Sequence, residues 1–233
     1  MPFASLGLDA SILKAVADQG YTEPTPIQKA AIPAVIEGID VIGIAQTGTG
    51  KTAAFTLPLL TRLLRTANNT HKGRVRCLIL APTRELVVQI AENVAAYSRY
   101  SGAVVATCYG GVSERPQIAA LRRGCDFLVA TPGRLLDLGS QGHGDFSAVE
   151  CLVLDEADRM LDMGFLPAIN TIVRALPPER QTLMFSATLS REIETLTKQY
   201  QRSPKLIEVG RRSNPAETVT QLLFECPGAL KQV

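Results

Sequence analysis

Short unbroken apolar runs alternate along this chain with longer stretches in which apolar residues recur every three or four positions. The runs fall at 41–44 (VIGI), 77–81 (CLILA), 103–107 (AVVAT), 127–130 (FLVA), 152–154 (LVL), 182–185 (TLMF) and 206–209 (LIEV). Runs this short, with little polar alternation, predict strands buried on both faces. The stretches between them predict helices. One runs from Asp9, a good N-cap, to Gln19, with Ile12, Leu13 and Val16 on one face and Gly20 as its stop. Others cover Lys51 to Arg65, the segment from 82–86 to about Tyr97, Gln117 to Arg123, part of 159–181, and a segment opening near Ser190. Residues 66–76 and 139–147 read as polar loops. Such alternation predicts an α/β fold: a doubly wound, mostly parallel sheet flanked by helices. Residues 210–221 are polar and read as a linker. Residues 222–226 are strand-like and the sequence then stops, which reads as the opening of a second, truncated domain.

Polar motifs follow these runs in a repeated way. They are 45–52, 82–85, Gly110-Gly111, 131–134, 155–158 and 186–188. In open α/β sheets ligands bind beyond the carboxyl ends of the strands. Any one motif alone reads equally well as a turn or a helix cap. Six at one edge read as a shared site.

The most specific is AQTGTGKT at 45–52, between an apolar run and a helix. A strand that passes through a glycine-rich turn into a helix N-terminus is a phosphate cradle, with inward N–H groups and a favourable dipole. Lys51 is placed to reach β/γ-phosphates and the Thr52 hydroxyl to ligate Mg²⁺. Ala45 departs from the glycine that usually opens the motif. Asp155, at the end of another run, is the expected second carboxylate for Mg²⁺. Its neighbour Glu156 is the candidate for orienting and deprotonating an attacking water. The plainer alternative is that Asp155, Glu156 and Asp158 are acids favoured at a helix start.

Upstream, Thr25-Pro26-Ile27-Gln28 forms a T-x-x-Q capping box. Gln28 therefore has two readings: a cap that bonds back to Thr25, or an amide that pairs with an adenine edge. Tyr21 is placed to stack on the same base. Thr83-Arg84, Gly110-Gly111 and Thr131-Pro132-Gly133-Arg134 suit contacts to nucleic-acid phosphates. Their alternative is helix capping by Thr83 and Thr131, with both arginines in surface ion pairs.

Composition limits the rest. At 233 residues, 46% hydrophobic and 20% charged, the chain suits one large folded unit. A net charge of +2 does not by itself announce a nucleic-acid binder. Five cysteines, Cys77, Cys108, Cys125, Cys151 and Cys226, show no C-x-x-C spacing and read as buried thiols. His71 and His143 lie in separate loops, which argues against a histidine metal site. No signal-peptide pattern or membrane-length apolar run is present, so a cytoplasmic protein without membrane contact is expected. No extensive apolar surface element argues for a dimer, so a monomer is expected.

Taken together, the motifs make the chain resemble the N-terminal RecA-like domain of a DEAD-box ATP-dependent RNA helicase, nearest the bacterial RhlE-type group. Phe3, Gly20-Tyr21 and Pro24 to Gln28 match the family's adenine-recognising Q motif. Residues 45–52 match motif I, where the family accepts alanine first. Pro82 to Leu86 match motif Ia, and Asp155 to Asp158 spell the family name. The resemblance implies ATP and Mg²⁺ as ligands. Phe3, Tyr21, Thr25, Gln28, Gln46, Thr47, Gly48, Thr49, Gly50, Lys51 and Thr52 would hold the nucleotide. Thr52, and Asp155 through water, would hold the metal, with Lys51, Asp155 and Glu156 catalytic. Pro82, Thr83, Arg84, Gly110, Gly111, Thr131, Pro132, Gly133 and Arg134 would touch the RNA backbone. Asp158, Ser186 and Thr188 would couple ATP state to unwinding. Arginines of a C-terminal RecA-like domain would complete the ATPase site, so residues 1–233 alone are expected to bind nucleotide weakly and turn it over poorly. The rival readings are a DNA-directed P-loop motor and a nucleotide-gated RNA clamp.

Overall fold

The computed structural model describes residues 2–66 and 73–209. The expected linker at 210–221 and second-domain start at 222–233 lie outside them, as do His71 and Cys226.

Seven strands form one sheet: β1 (Val41–Ile44), β2 (Val75–Leu80), β3 (Val105–Cys108), β4 (Cys125–Ala130), β5 (Cys151–Leu154), β6 (Gln181–Ser186) and β7 (Lys205–Glu208). Their order is β3-β4-β2-β5-β6-β1-β7, and every pairing is parallel, where the sequence predicted a mostly parallel sheet. The strands β1, β2, β5 and β6 are buried along their whole length. The edge strand β7 is mostly exposed, as an edge that must avoid stray pairing should be.

Nine helices cover the faces: α1 (Ala10–Asp18), α2 (Pro26–Ile36), α3 (Lys51–Arg65), α4 (Arg84–Tyr97), α5 (Arg115–Arg123), α6 (Pro132–Ser140), α7 (Ala157–Asp162), α8 (Leu166–Ala175) and α9 (Arg191–Tyr200) among the described residues. The period-2 geometry of the strands divides the core into two layers. Cys77, Ile79, Val153, Leu183 and Phe185 face α1 to α4. Leu78, Leu80, Leu152, Leu154 and Met184 face α5 to α9. Asp9 caps α1 by accepting from the Ser11 N–H at 2.8 Å, and Ser190 caps α9.

The structure differs from the sequence reading in places where polar residues sit inside elements. Val75 and Arg76, expected in an exposed loop, begin β2 and are buried. Arg76 is tolerated there because Glu150 (2.8 Å) and Asp126 (3.5 Å) balance its charge and Thr66 Oγ1 accepts from it. Gly139 and Ser140, expected in a loop, complete α6. β3 begins at Val105, not Ala103, and the helical stretch after Asp155 is split into α7 and α8.

Gly43 is required by close packing. A Cβ at Gly43 would lie 2.6 Å from the ring of Phe185 on the neighbouring strand β6. Gly43→Ala should therefore destabilise the fold by about 1–3 kcal/mol, the usual cost of overpacking. Urea unfolding should show a lower midpoint at unchanged slope.

Candidate nucleotide and RNA site

Because the sheet is all parallel, its six motif-bearing strands deliver their carboxyl ends to one edge. Along that edge the motifs form two groups. Gly110-Gly111 after β3, Thr131 to Arg134 after β4, and Pro82 to Glu85 after β2 are neighbours. Asp155 to Asp158 after β5, Ser186 to Thr188 at the end of β6, and 45–52 after β1 are the other three.

In the second group the 45–52 turn leads into α3. Gly48 (φ 79°) and Gly50 (φ 89°) occupy the left-handed region that glycine adopts without strain. A Cβ at Gly50 would also meet Gln28 Nε2 at 2.4 Å. Position 45 needs no glycine: its backbone is outside the left-handed region and the Ala45 methyl is buried in the core. Ala45 N–H donates to the Ser186 carbonyl at 3.0 Å, tying the turn to β6. Lys51 Nζ is buried and donates to the Ala45 carbonyl at 3.0 Å. Thr49 Oγ1 donates to the Gln46 carbonyl at 2.8 Å. Apart from the turn at Thr47-Gly48, the N–H groups of 46–50 have no backbone acceptor among the described residues, which leaves a donor set facing the turn. Thr52 lies in the first turn of α3.

Gln28 joins this turn to α2. Its Oε1 accepts from the Thr25 N–H at 2.9 Å, and its Nε2 donates to the Gly50 carbonyl at 3.1 Å. The capping role is thus realised, and the same amide also reaches the 45–52 turn. Thr25 Oγ1 is placed towards the Gln28 backbone as the other half of the box, but it is buried without a hydrogen-bond partner. Tyr21 is 40% exposed and its hydroxyl bonds to that of Tyr97 at 3.1 Å. Phe3 is 5% exposed and packs in the core beneath α1 and α2, so its ring is not presented as an open stacking face.

The carboxylates are held differently from one another. Asp155 is only 2% exposed. Desolvation pushes its pKa up from 3.8 to about 6, while the Lys51 charge opposes the rise and Glu156 adds to it. Glu156 takes left-handed backbone angles (φ 52°, ψ 52°), a strained state for a non-glycine residue and one that recurs at functional sites. Its carboxylate pairs with Arg159 at 3.2 Å. Asp158 faces the end of β6: it accepts from the Ala187 N–H at 3.0 Å and from Thr188 Oγ1 at 3.4 Å. Ser186 Oγ accepts from the Thr188 N–H at 3.3 Å, so these three expected coupling residues are in direct contact.

In the first group Gly110, Gly111 and Gly133 are exposed. Pro82 and Thr131 are buried, and Pro132 opens α6. Thr83 caps α4 by accepting from the Leu86 N–H at 3.3 Å, whereas the Thr131 side chain makes no cap bond. The Arg84 guanidinium lies 5.5 Å from the centre of the Tyr109 ring. Arg134 donates to the Val112 carbonyl at 3.4 Å and lies 3.9 Å from Asp137. Neither arginine is a bare surface charge, but only Arg134 has a carboxylate partner. Sequence reasoning does not find Tyr109 and Arg159. The first directly precedes Gly110-Gly111, and the second stands three residues after Glu156 on a helix, spacings that could have found both.

The raised Asp155 pKa fixes a sign. Between about pH 4 and 6 the folded chain holds a proton at Asp155 that the unfolded chain has released, so this residue's contribution to stability falls as pH rises. In EDTA, the stability of Asp155→Asn relative to the parent should therefore increase from pH 4 to pH 7, by on the order of 3 kcal/mol. Chemical unfolding at each pH measures that difference.

Comparison with known proteins adds to this geometry. The sequence model of the DEAD/DEAH box helicase family matches residues 25–196. The chain is 45% identical over 98% of its length to the ATP-dependent RNA helicase RhlB of Pseudomonas putida, of which it covers 59%. It is 47% identical over 97% of its length to the DEAD-box ATP-dependent RNA helicase 30 of Arabidopsis thaliana, covering 38% of that protein. The crystal structure of a DEAD box protein from Methanococcus jannaschii superposes with a TM-score of 0.83 at 37% identity, over 89% of this chain and 56% of that one. The chain thus spans about three-fifths or less of the length of these relatives. An RhlE-type subgroup is not confirmed by them. The matched residues contain all six sheet-edge motifs, from 45–52 to 186–188, and Ser190, the cap of the helix that follows the last of them. With its motifs collected on one edge of a RecA-like sheet, the chain belongs to the DEAD/DEAH box helicase family.

Proposed function

We propose that this chain carries the nucleotide-binding half of an ATP-dependent RNA helicase, and that ATP hydrolysis drives local RNA unwinding or remodelling. The observation that carries the reading is the joint placement, at one sheet edge, of the glycine cradle, Lys51, the buried Asp155 and the strained Glu156.

The residues fit a Mg²⁺-nucleotide. The cradle presents backbone N–H donors, and Gly48 and Gly50 hold the left-handed backbone that shapes it. Gln46, Thr47, Gly48, Thr49, Gly50 and Lys51 would bind the phosphates. Thr52 and Asp155 would hold Mg²⁺, which when bound neutralises phosphate charge and fixes the β- and γ-groups. Gln28 would choose the base: beyond its bonds to Thr25 and Gly50, its amide retains one lone pair and one N–H, the pair an adenine edge requires. Thr25 and Tyr21 would border that position, whereas Phe3 would contribute through packing as it stands. Glu156 would orient and deprotonate the water, and Asp158 with Ser186 and Thr188 would transmit nucleotide state. Thr83, Arg84, Gly110, Gly111, Gly133 and Arg134 would contact RNA phosphates and sugars, contacts that position a strand without reading its sequence. A C-terminal RecA-like domain would supply the remaining groups of the ATPase site, with the chain working as a monomer in the cytoplasm.

Four outcomes check this. In the full-length protein, Glu156→Gln should retain ATP and RNA binding while RNA-stimulated ATPase falls by roughly 10²–10⁴-fold, the worth of a general base. Unchanged turnover would remove Glu156 from the chemistry. Gln28→Ala should erase the preference for ATP over GTP, measured by competition binding. Robust unwinding by residues 1–233 alone would contradict the need for a second domain, and equal stimulation by DNA would favour a DNA motor.

A further inference from the structure

A cleft of about 970 Å³ opens at the amino-terminal edge of the sheet, opposite the nucleotide edge. Residues at or just before the starts of β1, β2, β5, β6 and β7 line it, so the parallel register gathers them as it gathers the motifs at the other edge. Five arginines contribute: Arg62, Arg74, Arg76, Arg180 and Arg202. Asp40, Glu150 and Glu179 also line it.

Most of this charge is already committed. Arg76 is held by Glu150 and Asp126, Arg74 by Asp145 at 3.0 Å, and Arg202 by Glu179 at 2.8 Å. The two Asp40 oxygens accept the backbone N–H groups of Thr182 (2.8 Å) and Arg202 (2.7 Å). Arg62 and Arg180 are different: neither forms an ion pair among the described residues. Arg62 donates to the Val35 carbonyl and to the Gln181 side chain. Arg180 donates to the Pro177 carbonyl at 2.7 Å, and its Nε is buried with no hydrogen-bond partner. Asp40 is the carboxylate whose charge acts on Arg180, but it forms no ion pair with it. A buried N–H without an acceptor is unfavourable until something supplies one.

The lining contains no aromatic side chain, so it offers a base nothing to stack on. Guanidinium forks matched to tetrahedral oxyanions are what it offers instead. We propose that the cleft is a phosphate site separate from the glycine cradle, in which Arg62 and Arg180 bind a ligand carrying successive phosphate groups. Two sources present that chemistry: the backbone of an RNA segment outside the stretch held at the opposite edge, and a free polyphosphate. The proposal does not depend on the nucleotide reading of 45–52.

The test titrates the ¹⁵N-labelled chain with inorganic tripolyphosphate and follows the arginine Nε–Hε resonances, assigned by substitution. Arg62 and Arg180 should shift together and saturably. Arg180→Gln removes one fork. Ala148→Glu puts a carboxylate into the cleft from a residue that makes no side-chain hydrogen bond, so a folded second variant remains if the first is unstable. Each should weaken binding by about ten-fold, the loss of one charge-assisted pair. A parallel arm compares single-stranded RNAs of about 12 and about 40 nucleotides. If RNA is the ligand, the variants weaken only the longer one, and its salt slope drops by about 0.7 for each phosphate left unneutralised. If free polyphosphate is the ligand, both RNAs bind as before while tripolyphosphate is weakened. No saturable shift at Arg62 and Arg180, or a shift that neither variant alters, overturns the proposal. Because the readout is at these arginines, a failure of ATP binding at 45–52 would be seen separately.

Discussion

The parallel register of the sheet is the constraint on which everything else rests. A parallel strand must be re-entered by a crossover, and each crossover here carries at least one helix, so every turn that leaves a strand's carboxyl end lies on the same edge. Six polar turns far apart in sequence become neighbours without any long-range motif pairing. The strand order then sorts them. β3, β4 and β2 bring the exposed glycines and arginines together, and β5, β6 and β1 bring the buried lysine, the carboxylates and the glycine cradle.

Within that frame three polar side chains around the glycine turn find partners close by. Lys51 donates to Ala45, Gln28 bridges Thr25 and Gly50, and Glu156 pairs with Arg159. Each of these three has a local partner, as buried polar groups must. Asp155 is the exception in energetic terms, because burial outweighs the help of Lys51 and raises its pKa to about 6. A divalent cation would reverse that balance by favouring the charged carboxylate. The contacts of Asp158 with Ala187 and Thr188 tie the carboxylate loop to β6, and Ala45 N–H ties the cradle to the same strand at Ser186. A shift at the cradle therefore has a short covalent and hydrogen-bonded path to Thr188.

Much of this was legible in the sequence, for physical reasons. Strands buried on both faces leave continuous apolar runs, which is why β1 matches its expected bounds, and the three-to-four-residue apolar period does the same for the helix Lys51–Arg65. Caps leave side-chain signatures, which is why Asp9 and the T-x-x-Q box were readable. Where a polar residue is buried with partners far along the chain, the pattern fails. Arg76 reads as loop because Glu150 and Asp126 cannot be seen beside it. For the same reason periodicity could not show Phe3 packed in the core, or the arginines collected at the amino-terminal edge. Of the two readings of Gln28 the cap is realised, and the same amide has a donor to spare for the Gly50 carbonyl of the cradle.

If one sheet edge is divided between nucleotide and RNA, the two ligands protect different turns along it. Hydrogen–deuterium exchange of this chain, with saturating Mg²⁺-ATP and separately with single-stranded RNA, measures that division directly. A divided edge predicts that ATP slows exchange at 45–52 and 155–158 and leaves 110–112 and 131–134 unchanged, while RNA does the reverse. Protection by ATP at 110–112 and 131–134, or none at 45–52, would contradict it.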